Sequence, residues 1–349
     1  MPAAAIDIPI DVLVRGAGPV GCVAALALQA CGKDVRLLSE KAPAAPFRPI
    51  VLSYASRLIL ERLGAWRTLA PSPIDTIHVS QAGRFGRTVF DARDAGVPAL
   101  GYVLDYSALL QTLRSCVQHC LVENEPAARC VVHAEGAAPA VEKRYAQDAL
   151  VAAVRCAPAA GTTAFERFTR EGPLALLPLA GDYAVVWSMR PESAQKLLSM
   201  DENEFLGRLA AAAGTRPGRP VAVAGRAVQP LVLRVREASV AERAVYIGNA
   251  AHTLHPVAGQ GLNLGLRDAW DLAQIMREAN DPGDDAVLRR FAARRRLDAG
   301  AAIRVTDLLA RAFLTSNPLT GAVLTALDLL PAPRRFFARR MIFGPSALP

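Results

Sequence analysis

Residues 248–268 read GNAAHTLHPVAGQGLNLGLRD, and this stretch decides the fold. An apolar run, Ala244 to Ile247, leads into it. Small residues and a proline fill it, and after Gly259-Gln260-Gly261 a helix is expected from about Leu262. A glycine-rich loop at a helix N-terminus presents unpaired backbone N–H groups beside the positive end of the helix dipole. Such a loop receives a phosphate or another anionic group, and its lack of side chains lets a flat ring approach the backbone.

The matching half lies more than 200 residues upstream. Ile10 to Val14, IDVLV, is an apolar run too short for a helix and reads as a buried strand. Gly16-Ala17-Gly18-Pro19-Val20-Gly21 follows, then a helix to about Ala30 with Gly32 as its stop. Asp34 to Leu38 make the next strand, with Glu40 at its end. Strand, GxGxxG, helix and a distant acid together form the dinucleotide fingerprint. Gly16 allows the tight turn, Gly18 the approach of a pyrophosphate, Gly21 the close packing of helix on strand, and Glu40 accepts from ribose hydroxyls.

Between the two motifs the pattern changes. Ser53 is expected to cap a helix to Leu63, and Asp105 one to about Val117. Ile74–Gln81 and Arg84–Phe90 suit a hairpin around Ala82-Gly83. Arg129–His133, Asp148–Arg155, Ala164–Thr169, Leu174–Pro178 and Tyr183–Met189 read as mostly antiparallel strands. Asp201 caps a helix ending near Gly214, and beyond residue 260 the chain reads as largely helical. The fold class is therefore α/β: a discontinuous Rossmann-type domain (1–70, 100–136 and 240–310), a sheet-based substrate domain (71–99 and 145–239) and a helical C-terminal segment (311–349).

At 349 residues, 52% hydrophobic and 21% charged, the chain is an ordinary globular protein of more than one core. Its net charge is +8, with arginines at 289, 290, 294, 295 and 296 and again at 334, 335, 339 and 340. The first cluster suits a solvated helix face as well as an anionic partner. No DNA- or RNA-binding motif accompanies the charge, so nucleic acid is not expected. The N-terminal apolar run holds Asp7 and Asp11, so no secretory signal is read there. No apolar stretch reaches membrane-spanning length, and the six cysteines lack metal spacing. A cytoplasmic protein with reduced thiols is the expectation. The C-terminal run 324–342 mixes Phe336, Phe337 and Ile342 with four arginines, and suits either an anionic membrane surface or packing on its own domain.

The two loops resemble those of the flavin-dependent aromatic hydroxylases, the family of para-hydroxybenzoate hydroxylase, and within it the ubiquinone-biosynthesis subgroup. The family pattern G-D/N-A-A-H-x-x-x-P-x-x-G-Q-G-x-N is met by Gly248, Asn249, Ala250, Ala251, His252, Pro256, Gly259, Gln260, Gly261 and Asn263. Similar patches follow Arg48 (52–66) and lie at 101–113 and 164–179. The resemblance implies FAD held by Gly16, Gly18, Pro19, Gly21, Glu40, Arg48, Asn249, Pro256, Gly259, Gln260, Gly261, Leu262 and Asn263. It implies NADH or NADPH as electron donor, O2, a flavin C4a-hydroperoxide and an aromatic substrate, such as a polyprenylated phenol. Phe165, Phe168, Leu176, Trp187 and His255 are candidate substrate contacts, although aromatic residues at such spacing also serve as plain core. His252 suits a loop-shaping hydrogen bond better than proton transfer.

Two departures stand out. The family's middle Asp-Gly motif is matched only by Ala134-Glu135-Gly136, and the stretch from Leu113 to Phe165 is short. Arg15 stands where the family has an apolar residue, and either a phosphate or a carboxylate would satisfy it. These features keep two alternatives open: a flavin oxidoreductase without oxygen insertion, and a catalytically weakened homologue serving as an accessory subunit of a biosynthetic complex. A homo-oligomer is compatible with either.

Overall fold

The computed structural model describes residues 9–39, 47–136, 141–253, 260–296, 300 and 318–344. Four expected site residues, Glu40, His255, Pro256 and Gly259, lie outside the described residues.

In chain order, β1 (Ile10–Arg15), α1 (Pro19–Ala30) and β2 (Val35–Leu38) form the first βαβ unit. Then come β3 (Pro49–Ser53), α2 (Tyr54–Arg62), β4 (Ser72–Ile74), β5 (Thr76–Gln81), β6 (Arg87–Asp91), α3 (Ala92–Ala95), β7 (Gly101–Asp105) and α4 (Tyr106–Val117). The middle holds β8 (Leu121–Val122), β9 (Ala128–His133), β10 (Val141–Ala157), β11 (Thr163–Phe168), β12 (Pro173–Leu179) and β13 (Asp182–Met189). After α5 (Pro191–Ser199) and α6 (Glu202–Ala213) run β14 (Arg219–Val235), β15 (Val240–Ala241), β16 (Ala244–Tyr246) and β17 (His252–Thr253). Helices α7 (Gln260–Met276), α8 (285–296), α9 (Pro318–Leu329) and α10 (Pro331–Phe343) follow.

One six-stranded sheet has the order β15-β16-β9-β1-β2-β8 and is parallel except for its β15–β16 edge. Val12, Leu13 and Val14 are fully buried because helices cover both faces of a parallel sheet. Helix α1 packs against α7 and α4 on this sheet. Arg129–His133, read within a group of mostly antiparallel strands but assigned to the nucleotide-binding pieces, is β9, and it pairs in parallel with both β1 and β16. A short apolar run signals burial, not partner or direction.

The second sheet has eight strands, β17-β14-β10-β13-β12-β11-β5-β6, antiparallel apart from the β11–β5 pair. Strand β14 was not anticipated: Pro220, Gly225 and Pro230 interrupt its pattern, yet its ladder with β10 absorbs them through three register shifts. One face of this sheet packs on α5 and α6, burying Leu150, Leu174, Leu176, Trp187, Phe205 and Leu209. The other face looks towards the nucleotide-binding half. A small sheet, β3-β7-β4, joins the two halves. The caps at Ser53, Asp105 and Asp201 all form as expected, each side chain accepting from a first-turn N–H.

Helices α9 and α10 lie against the β5–β6 hairpin. Ala338 and Ile342 join Phe90, Val97 and Leu100 in a small core, and Phe337 meets Phe90 at a ring-centroid distance of 5.7 Å.

Candidate functional site

A single cavity of about 1780 Å³ runs between the two sheets. One end is lined by Gly16, Ala17, Gly18, Pro19 and Val20, and by Gln260, Gly261, Leu262 and Asn263. The N-termini of α1 and α7 thus open into the same space, each directing backbone N–H groups at whatever occupies it.

The glycines of the first loop do different work. Gly16 sits at φ +97°, and a Cβ there would lie 2.6 Å from the backbone nitrogen of Glu135. A Cβ on Gly21 would fall 1.9 Å from the Gly16 carbonyl oxygen, so helix and strand need that glycine to pack. Gly18 has an extended backbone, φ −77° and ψ 175°, that any residue can adopt. A Cβ on it would meet no protein atom nearer than Tyr106 Oη at 3.9 Å. Among the described residues nothing requires glycine at 18, and its bare backbone leaves room for a bound group to press against it. This is the fit expected of a dinucleotide pyrophosphate.

The remaining walls agree. Arg48 lines the cavity, with its guanidinium 5.0 Å from the centre of the Tyr106 ring. Asn249 lines it and is exposed. Arg114 reaches back to donate to the Ala17 carbonyl at 3.2 Å, bracing the loop. Of the two partners open to Arg15, the structure supplies the carboxylate: Arg15 pairs with Glu125. The Glu135-Gly136 turn also lines the cavity, and Glu135 meets Gly16 with its backbone. Its carboxylate accepts from His133 Nδ1 at 2.6 Å.

Asn263 lines the cavity, and its side chain is engaged within the protein. Its Oδ1 accepts from Ser53 N at 2.8 Å and Ser56 Oγ at 2.7 Å, and its Nδ2 donates to the Val51 carbonyl at 2.8 Å. The side chain fastens α7 to β3 and α2, leaving the backbone to face the cavity. His252 is likewise a loop-shaping residue. Its Nε2 lies 2.9 Å from Asp268 Oδ2, which also accepts from Gly248 N at 3.0 Å. Arg295 Nε donates to the other oxygen at 2.6 Å. Burial alone would push the Asp268 carboxyl up, but Arg295, then His252 and the Gly248 N–H, hold it down at about 2.

The far end of the cavity is mostly apolar, with Thr88, Glu166 and Ser188 as polar side chains on the same sheet face. Phe168 lines it as expected, and Phe165 borders it, although the Phe165 ring packs at 6.0 Å from His78 and 6.1 Å from Tyr183. Leu176 and Trp187 do not line it. They are buried under α5 and α6, on the opposite face of the sheet. Their neighbours Ala175, Leu177, Val186 and Ser188 face the cavity instead, because successive strand residues alternate faces. Both faces of β12 are apolar, so alternation alone could not tell which was which. Asp268 and Arg295 were also missed, since nothing local in the sequence distinguishes a buried ion pair from a solvated one. Four residues of α9, Thr320, Val323, Leu324 and Leu327, close the cavity together with Met341 and Ile342 of α10.

Comparison with known proteins agrees with this geometry. Residues 114–306, more than half of the chain, match the family model described as FAD binding domain. An uncharacterized protein, slr1300 of Synechocystis sp., is 30% identical over 390 residues, covering 97% of this chain and 94% of that protein. The 3-demethoxyubiquinol 3-hydroxylase of Escherichia coli is 29% identical over 83% of this chain and 86% of its own length. Among solved structures, Klebsiella pneumoniae HpxO complexed with FAD and uric acid superposes with a TM-score of 0.76 at 16% identity, covering 97% of each chain. With two helix N-termini and a ligand-shaped glycine loop framing the cavity, the chain belongs to the FAD-binding-domain family of FAD-dependent monooxygenases.

Proposed function

We propose that this protein hydroxylates a phenol carrying a long apolar substituent, as in ubiquinone biosynthesis, using FAD, NADH or NADPH, and O2. The observation that carries this reading is the continuity of the cavity. Its volume of about 1780 Å³ exceeds the ~300–1,000 Å³ of a site for one small ligand, and it joins the phosphate-binding loops to an apolar sheet face without a wall between them. Cofactor and substrate would share it.

The flavin, when bound, supplies the activation of oxygen. The chain supplies the rest. Gly16–Gly21 and the N-terminus of α7 hold the anionic and carbonyl groups of the cofactor through backbone N–H donors. Arg48 adds a guanidinium at the cavity wall. Ile77, Val79, Phe90, Phe168 and Leu177 keep water from the reacting ring.

The same region bears on where a lipid-like substrate would enter. Val323 on α9 lines the cavity yet is 58% exposed, and Leu329, Leu330 and Phe336 of the same helical pair are 72%, 52% and 70% exposed. Arg335 and Arg340 are exposed on α10. This surface suits peripheral contact with the anionic inner face of a membrane. Among the described residues no helix is long and apolar enough to cross one.

The test begins with the purified protein. About one FAD per chain, with NAD(P)H oxidation stimulated by a prenylated phenol and coupled to a hydroxylated product, is the expected result. A protein that cannot be reconstituted with FAD overturns the reading and favours the accessory-subunit alternative. Flotation with phosphatidylglycerol vesicles, abolished by Phe336→Glu with Leu329→Glu, tests the membrane contact.

A further inference from the structure

The strand registers place one row of side chains across the floor of the cavity: Thr88, Val79, Glu166, Ala175 and Val186. Paired residues on neighbouring strands share a face, and all five line the cavity. Of the rows beside it, Phe90, Ile77, Ala164 and Leu177 are wholly apolar, and on the other side Phe168, Pro173 and Ser188 bring one hydroxyl to the cavity. An acid in the middle of such a floor is costly unless something uses it. Among the described residues no hydrogen bond or ion pair engages the Glu166 carboxyl, whereas acids elsewhere on the wall are engaged, Glu125 by Arg15 and Glu135 by His133. Two strands away, about 10 Å across the sheet, Thr88 Oγ1 is buried without a partner among the described residues.

We infer that Glu166 is the residue that takes the ring hydroxyl of the substrate, accepting its hydrogen bond and then its proton. The inference rests on the hydroxylase reading above and names the contact that selects a phenol within that site. The proton passes from the ring oxygen to a Glu166 carboxylate oxygen. The electron pair of the O–H bond stays on the ring oxygen, enriching the ring for attack on an electrophilic oxygen, and no oxidant or reductant enters this step.

The electrostatics agree. Burial pushes the Glu166 carboxyl up to about 7, and no neighbouring charge contributes. The described charged groups of the cavity wall are Arg15, Arg48, Arg114, Glu125 and Glu135. All stand on the nucleotide-binding elements or the loops beside them, and none acts on Glu166. Across the cavity α9 and α10 present Thr320, Val323, Leu324, Leu327, Met341 and Ile342, none of which titrates. A carboxyl poised near neutrality exchanges a proton with a phenol more readily than one at its ordinary value.

The test uses the FAD-loaded protein without reductant, with 4-hexylphenol and its methyl ether as probes, read by perturbation of the flavin absorbance. Wild-type protein is expected to bind the phenol at least about tenfold more tightly than the ether at pH 8. That preference should shrink as pH falls through 7 and vanish in Glu166→Gln, which should keep its FAD. In turnover, Glu166→Gln should lower kcat/KM about 100-fold and flatten its rise through pH 7. A preference unchanged in Glu166→Gln and independent of pH overturns the inference while leaving the hydroxylase reading intact. Failure of the wild type to bind either probe, despite bound FAD, overturns both.

Discussion

Replacing Asp268 by Asn keeps the shape of the side chain and removes its charge. In the folded protein that carboxylate is 3% exposed and serves Arg295, His252 and the Gly248 backbone. Breaking a buried pair by removing one partner costs about 3–5 kcal/mol. A second route to the magnitude uses proton linkage. The carboxyl lies near 2 in the folded protein against 3.8 for the ordinary group, a difference equivalent to about 2.4 kcal/mol. Because the folded value is depressed, this contribution is fully present above about pH 4 and is lost as pH falls through 2. The expected outcome for Asp268→Asn is a loss of about 2–4 kcal/mol at pH 7, measured as a lowered urea midpoint. The gap from wild type should narrow between pH 5 and pH 3. A variant within about 0.5 kcal/mol of wild type at pH 7, or a penalty constant across that range, would refute the reasoning.

Gly16→Ala should destabilise the apoprotein by at least about 2 kcal/mol, since φ +97° and the 2.6 Å approach to Glu135 both resist a Cβ; thermal unfolding measures it. Gly18→Val should leave apoprotein stability nearly unchanged and weaken FAD binding at least about tenfold, measured by titration of the stripped protein. Leu176→Ala should cost about 2–5 kcal/mol of stability while sparing the substrate KM. Ala175→Trp, one residue away on the cavity face, should raise that KM sharply and spare FAD content.

The nucleotide-binding half was legible because its signals are local. A run such as Val12–Val14, a loop such as Gly16–Gly21 and a cap such as Asp105 each declare themselves within a dozen residues. What stayed hidden depends on pairing at a distance. Residues 128–133 look like any half-buried strand until β1 and β16 flank them. Leu176 and Ala175 are both apolar, and only the position of α5 and α6 decides which one faces the cavity. Asn263 matched the family pattern, yet its amide is spent on Ser53, Ser56 and Val51, more than 200 residues away.

The interleaving of the parallel sheet bears on how the chain is made. Strand β9 ends at His133, but β16, which covers its open edge, begins at Ala244. At ~5–20 residues per second, ribosomal synthesis leaves that edge unpaired for roughly 6–22 s, while β10 to β14 of the eight-stranded sheet are emerging. Helix α7, whose first residues line the cavity, comes later still. A nascent chain therefore carries a half-built nucleotide fold with a naked strand edge through about a third of its synthesis. Cofactor capture must wait for the last third of translation, and a holdase that shields β9 in the interval would raise the yield of flavin-loaded protein.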